Sequence, residues 1–231
     1  ESSAASDVYK RQVLSDQMTG QSTAVVSEPE LFAPAPDARA PHAPAPDAPA
    51  VEGDEYQRYL ITDSGVSPMA VPGEANRRYT ADGLEHTEYG TPSAAQSHHR
   101  EQLDKRRRKL DNHDYGTHWA EIDGEGDLAL LAFGSGAAVI RAAARELAEG
   151  GMPVTTLALR LLAPLRSETL IAALAHCRGV LVVEQNHGAQ LATYLRSQLG
   201  GKLQLHSFAR PGPVPLDPGE VARHAREVWT R

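Results

Sequence analysis

The strongest pattern of apolar and polar positions lies in the last hundred residues. DLALLAFGSG, from Asp127, reads as a buried strand followed by small residues. AAVIRAAARELAEGG then reads as a helix, with Val139, Ile140, Ala143 and Leu147 in one stripe and Gly150 and Gly151 at its end. MPVTTLALRLLAPL is a second strand, and a helix from the expected N-cap Ser167 to His176 follows it. VLVVE is a third strand. It leads into a helix over 188–199, where Leu191, Leu195 and Leu199 stand four apart. KLQLHSFA is a fourth strand. The last helix has Asp217 as N-cap, Pro218 in first position, and Val221, Ala225 and Val228 on one side. The strands are apolar throughout instead of alternating, which calls for cover on both faces. The fold class is α/β: an open, mostly parallel sheet with helices on both faces.

The preceding half has a different texture. Seven of the chain's sixteen prolines fall between Pro29 and Pro49, so 29–52 reads as a linker or insertion. Short apolar pieces follow, broken by Gly65, Pro68, Pro72 and Gly73, with one brief strand expected at Tyr59 to Thr62. A helix through Leu103 and Leu110 is expected, capped by Ser93 or Ser97. The expected organisation is a truncated tail of a preceding domain over 1–28, the linker 29–52, interface loops and a basic helix over 53–125, and the α/β domain over 126–231. The start lacks Met, and SDVYKRQ resembles a translated adaptor, so residues 1–12 have two readings, a genuine stretch of the preceding domain or an artefactual start.

Composition narrows the function classes. With 231 residues, a net charge of -7 and 41% hydrophobic residues, the chain has no global attraction for nucleic acid or anionic membranes. Neither is expected as a partner. No apolar run is long enough for a membrane span. The one cysteine, Cys177, excludes an internal disulfide and suggests a cytoplasmic location.

Candidate chemistry gathers at a few places. Gly134 and Ser135 of FGSG follow the first strand and form either a tight turn or an anion-facing helix start. Glu184, Asn186, His187 and Gln190 follow the third strand, where partners meet the carboxyl ends of a parallel sheet. Asn186 is placed to cap the next helix. Glu85, His86 and Glu88 form an acidic cluster around an imidazole, with no HExxH or paired-cysteine pattern for a metal. Lys105 to Lys109 are five consecutive basic residues. They read as a solvated helix face or as a dock for an acidic partner.

Several blocks resemble one known family. GVSPMAVPG, GLEHTEYGTPSAAQSHHREQLDKRRRKL, LALLAFGSG and PLRSETLIAALAHCRGVLVVEQNHGAQLA are similar, in order and spacing, to alpha subunits of 2-oxoacid:ferredoxin oxidoreductases. The 2-oxoglutarate branch is nearest. The resemblance implies a domain like the C-terminal domain of transketolase. It also implies oxidative decarboxylation of a 2-oxoacid with thiamine diphosphate and Mg²⁺, acyl transfer to coenzyme A, and electrons passed through a [4Fe-4S] cluster to ferredoxin. A beta subunit would hold most of these cofactors, and this stretch alone none. Ser67, Pro68, Glu85, His86, Gly134, Ser135, Glu184, Asn186, His187 and Gln190 become interface or active-site-adjacent residues, with no catalytic or metal-binding role assigned. Met69 stands where relatives carry arginine, and Ala189 where they carry glycine, the latter expected to leave the turn intact. VLSDQMTG resembles a final strand and turn of the preceding domain. The alternatives are the C-terminal domain of another thiamine enzyme and a non-catalytic interaction domain.

Overall fold

The computed structural model describes residues 17–23, 25, 28, 56–70, 73 and 75–229. These fall into two compact units. One takes the described residues up to 25 together with those from Tyr115 onward, and the other the described residues from 28 to Asp114. The proline-rich run, Val13 to Asp16 and residues 1–12 lie outside the described residues. Gln17–Gln21 is a short helix (α1), where the residues suggested a short helix or turn after Ser15 and Asp16 and the resemblance a final strand and turn.

The second unit contains one long helix, Gln96–Asp111 (α2). Neither expected serine caps it: Ala95 stands at the cap without a side-chain hydrogen bond. The Ser93 hydroxyl accepts from the Ala95 N–H at 3.2 Å and shares a 2.7 Å bond with His98 Nδ1. The strand expected at Tyr59 to Thr62 is absent, because α2 side chains use its carbonyls. Gln102 Nε2 and Lys105 Nζ both donate to Tyr59 O at 2.8 Å. Arg108 donates to Thr62 O at 3.1 Å. Glu88 accepts from the Ile61 N–H at 2.8 Å.

The other unit is the α/β layer structure. Its elements are β1 (Ala120–Asp123), β2 (Leu128–Phe133), α3 (Gly136–Glu149), β3 (Thr155–Leu159), α4 (Ser167–Ala173), β4 (Gly179–Glu184), α5 (Gln190–Leu199), β5 (Leu205–Ala209) and α6 (Pro218–Trp229). The sheet order is β1-β3-β2-β4-β5. β1 runs antiparallel to β3, and all other pairs are parallel. Alternate residues of the central strands feed two cores. Leu128, Leu130, Leu181 and Val183 pack with Ile140, Leu147, Val221 and Ala225 on one face. Ala129, Leu131, Val180 and Val182 pack with Leu170, Leu174, Leu195 and Leu199 on the other. Side chains alternate across a strand, so a run apolar at every position is what this double burial requires.

The helix stripes read from the sequence face these cores. In α3 the buried residues are Gly136, Ile140, Ala143 and Leu147. Asp217 caps α6 by accepting from the Gly219 N–H at 2.8 Å. In α4, Ser167 is the first helical residue and Arg166 the cap, and the helix ends at Ala173 instead of reaching His176. β1 has no apolar run to announce it. Its residues are half-buried or exposed, and it adds an edge to a sheet already built.

Candidate functional site

Strand order reverses at β2. The chain goes from β2 to β3 on one side, then crosses to β4 on the other. The carboxyl ends of β2 and β4 therefore bound the crevice where open α/β sheets receive ligands and partners. A cavity of about 350 Å³ sits there, lined by Phe133, Ser135, Gly136, Leu162, Glu184, Gln185, Asn186, Gln190, Leu191, Tyr194 and Leu216, among others. A second cavity of about 200 Å³ shares Ser135, Gly136, Gln185 and Leu216 and is closed on one side by Met18, Thr19 and Ser22.

On the β2 side, Gly134 has φ 62°, which turns the chain sharply into α3. A Cβ on Gly136 would meet the Ala132 Cβ at 3.0 Å, so α3 starts hard against the strand. On the β4 side, Glu184 is 6% exposed at the strand end. Its carboxylate accepts from the backbone N–H groups of Leu191 at 2.7 Å and Ala192 at 3.0 Å. It also accepts from Asn186 Nδ2 at 2.5 Å. Asn186 Oδ1 in turn accepts from the Gln190 N–H at 3.3 Å. These contacts satisfy donors that a helix start leaves without intrahelical partners, and they place a negative charge at the positive end of α5. Glu184 is therefore a cap delivered from the preceding strand, and the start of α5 is already served by a carboxylate. His187 is exposed beside the crevice and is absent from both cavity linings.

Ala189 has φ 48°, in the left-handed region that glycine occupies without cost. The turn is kept, but at a conformational expense that the sequence comparison with glycine-bearing relatives did not convey. Ala189→Gly is expected to stabilise this unit by about 1 kcal/mol, read as a raised urea midpoint in tryptophan fluorescence. Trp119 and Trp229, the only tryptophans, both lie in this unit.

The remaining singled-out residues gather in the other unit. Ser67 Oγ donates to Leu60 O at 2.9 Å and meets Lys105 Nζ at 2.8 Å. Pro68 O accepts from the Tyr56 hydroxyl at 3.0 Å and from Arg58 at 3.2 Å. His86 stacks on Tyr59, with ring centroids 4.5 Å apart and planes 5° apart. Its Nε2 lies 3.2 Å from Asp82 Oδ1, without hydrogen-bond alignment. Glu85 accepts from Arg106 at 2.6 Å and shares a 2.9 Å bond with His99 Nδ1. No described group of three or more His, Cys, Asp or Glu residues is gathered as a metal would require. The basic run is not one solvated face: Lys105 is buried, Arg108 is half-buried and Arg106 is bound to Glu85.

Two of these groups titrate away from their usual ranges. The Arg106 hydrogen bond, helped by His99, holds the Glu85 carboxyl down at about 2. A carboxyl depressed on folding adds stability above its ordinary value of 4.5, and that stability is lost as pH falls through about 2. Glu85→Gln is expected to remove this part of the acid transition, measured by near-ultraviolet circular dichroism. Burial pushes the Lys105 ammonium down to about 8. Between about 8 and its ordinary 10.5 the unfolded chain holds a proton that the folded one has shed, so stability rises with pH across that window. Lys105→Met is expected to abolish that rise.

The crevice lining contains no cationic side chain, and its one carboxylate is the cap Glu184. A diphosphate with Mg²⁺ does not fit such a lining, because nothing there balances its charge or completes a ligand set. A cluster needing four thiolates does not fit a chain with one cysteine. Among the described residues, no helix is long and apolar enough to cross a membrane.

Comparison with known proteins agrees with this architecture. Residues 118–224 match the family described as transketolase, C-terminal domain. The subunit alpha of 2-oxoacid:ferredoxin oxidoreductase 2 from Aeropyrum pernix is 32% identical over 182 residues, covering 75% of this chain and 27% of the relative. The 2-oxoacid:ferredoxin oxidoreductase subunit alpha from Saccharolobus solfataricus is 28% identical over 151 residues, covering 63% of this chain and 24% of the relative. The chain thus spans about a quarter of the length of these relatives. Among solved structures, the 2-oxoglutarate:ferredoxin oxidoreductase from Magnetococcus marinus, with 2-oxoglutarate, coenzyme A and succinyl-CoA bound, matches with a TM-score of 0.63 and 29% identity. That match covers 78% of this chain and 32% of the other. Residues 118–224 have a fold like the transketolase C-terminal domain whose family they match, in a chain that resembles one segment of the alpha subunits of 2-oxoacid:ferredoxin oxidoreductases.

Proposed function

We propose that this chain is a segment of the alpha subunit of a cytoplasmic, thiamine diphosphate-dependent 2-oxoacid:ferredoxin oxidoreductase. The reaction converts a 2-oxoacid, coenzyme A and two oxidised ferredoxins into an acyl-CoA, carbon dioxide, two reduced ferredoxins and a proton. The observation that carries the proposal is the likeness, over 78% of the chain, to an oxidoreductase with 2-oxoglutarate and coenzyme A bound. It makes 2-oxoglutarate the first substrate to test. The absence of cationic side chains from the crevice lining and the single cysteine favour a division of labour in which a beta subunit holds the thiamine diphosphate, Mg²⁺ and iron–sulfur cluster. This segment then contributes shape: a rigid junction between β4 and α5 from which the exposed Gln190 faces a neighbouring chain or substrate, while the Gln185 amide is held by the Val214 carbonyl.

The test uses the full-length gene coexpressed with its neighbouring reading frame. Reduction of ferredoxin or viologen is measured with coenzyme A and a panel of 2-oxoacids. Reduction that requires thiamine diphosphate, fastest with 2-oxoglutarate, is the expected result. A folded, cofactor-loaded complex inert toward every 2-oxoacid would sink the reading.

A further inference from the structure

Three tyrosine rings cluster in the unit that contains α2, and two guanidinium groups lie on them. The ring centroids of Tyr56 and Tyr79 are 6.1 Å apart, and those of Tyr59 and Tyr79 6.4 Å. The Arg58 guanidinium lies 5.7 Å from the centroids of both Tyr59 and Tyr79, and that of Arg77 lies 5.3 Å from the Tyr56 centroid. Arg58 is half-buried and donates to Pro68 O at 3.2 Å, the carbonyl that also accepts from the Tyr56 hydroxyl. Rings and carbonyl together fix its plane. A guanidinium has five N–H donors, so most of them are left for another partner. Among the described residues neither Arg58 nor Arg77 has a carboxylate partner. The acids of this region are engaged elsewhere: Glu85 by Arg106 and His99, Glu88 by the Ile61 N–H, and Asp82 by the Leu84 N–H. Asp82 and Glu85 offset Arg58 on the Tyr59 side of the cluster. The Tyr56 side is different: burial pushes its hydroxyl up, and the side-chain charges that oppose this are those of Arg58 and Arg77.

We propose that Arg58 and Arg77 form a binding site for an oxyanion of a substrate, either the distal carboxylate of 2-oxoglutarate or a phosphate of coenzyme A. The inference rests on the proposed function for the identity of these substrates and on the arginine–tyrosine cluster for the chemistry. Carboxylate and phosphate oxygens both match the planar fork of a guanidinium pairwise. The rings hold the Arg58 fork before any ligand arrives, so less side-chain freedom is lost on binding. Two positive charges that act on the same buried hydroxyl also repel each other, and a bound anion relieves that repulsion. The ligand is a small molecule. The net charge of -7 gives the chain no general attraction for nucleic acid or anionic membranes, and two cations on packed rings are not a basic track.

The test measures steady-state turnover of the full-length, cofactor-loaded complex, with KM read separately for 2-oxoglutarate and for coenzyme A. The Arg58→Gln/Arg77→Gln and Arg58→Lys/Arg77→Lys pairs are compared with wild type and with Lys202→Glu, an exposed position in the other unit. The glutamine pair is expected to raise one of the two KM values about tenfold or more, with the other KM and kcat within about threefold of wild type. The lysine pair keeps the charge and loses the fork, so it should recover part of the loss. A rise for 2-oxoglutarate assigns the site to the distal carboxylate, and a rise for coenzyme A assigns it to a phosphate. Lys202→Glu should change neither. Wild-type KM values for both substrates in the glutamine pair would overturn the site while leaving the functional reading intact, whether or not the subunits then associate more weakly. A rise in both KM values together, or a fall in kcat alone, would make the arginines structural and overturn it too. A folded wild-type complex inert toward every 2-oxoacid would overturn the functional reading and this inference together.

Discussion

Glu184→Ala is expected to destabilise the α/β unit by about 3–5 kcal/mol, the range for removing one partner of a buried, charge-assisted network. The carboxylate serves three donors: the N–H groups of Leu191 and Ala192 and the Asn186 amide. Ala192 is fully buried, so water cannot replace the lost acceptor at its N–H. The truncation therefore leaves a desolvated donor in the core as well as an uncapped helix. It also frees Asn186, which helps hold Gln190 at the first position of α5. Glu184→Gln keeps one acceptor oxygen and sets an NH₂ against a donor, so a smaller loss of about 1–3 kcal/mol is expected. Urea unfolding followed by tryptophan fluorescence reads both, because both tryptophans belong to this unit.

Gly65→Ala is expected to cost the other unit about 3–4 kcal/mol, from a left-handed backbone and from overpacking together. Gly65 has φ +77°. A Cβ there would lie 2.5 Å from both Lys105 O and Lys109 N and 2.8 Å from the Lys109 Cα. These are backbone atoms of α2, so no side chain can swing aside; helix or loop must shift. Such a shift would pull Ser67 from Lys105 and Thr62 O from Arg108, the contacts that hold α2 in place. Near-ultraviolet circular dichroism is a suitable readout, since Tyr56, Tyr59 and Tyr79 pack together in this unit. An unchanged tyrosine signal and midpoint would show that α2 is not pinned by the Gly65 approach.

The parallel sheet is legible in the sequence because double burial leaves a local mark. Each central strand is buried at every position but Phe133 at the end of β2, which makes β2 and β4 almost wholly apolar and leaves β3 only two threonines with bonded hydroxyls, and each covering helix must carry a stripe. Asp217 and Asn186 are legible as caps for a similar reason, since their partners lie two and four residues away. Glu184 is only half legible. It closes the strand visibly, but the donors it serves are seven and eight residues downstream and reach it only after β4 and α5 have folded against each other. The basic run is less legible still. Lys105 and Arg108 find their acceptors 46 residues upstream, on a segment without regular structure, so nothing near them in sequence marks them as anchors. β1 escapes for the opposite reason: an exposed edge strand needs no apolar run.

The central claim is that the polar residues after β4 frame a site without performing its chemistry. Turnover of the full-length, cofactor-loaded complex carrying Glu184→Gln tests this most directly, at a temperature where the variant is fully folded. A kcat within about threefold of wild type is predicted, well below the effect of losing a general acid or base. A loss of about a hundredfold or more would contradict the account and place Glu184 among the reacting groups.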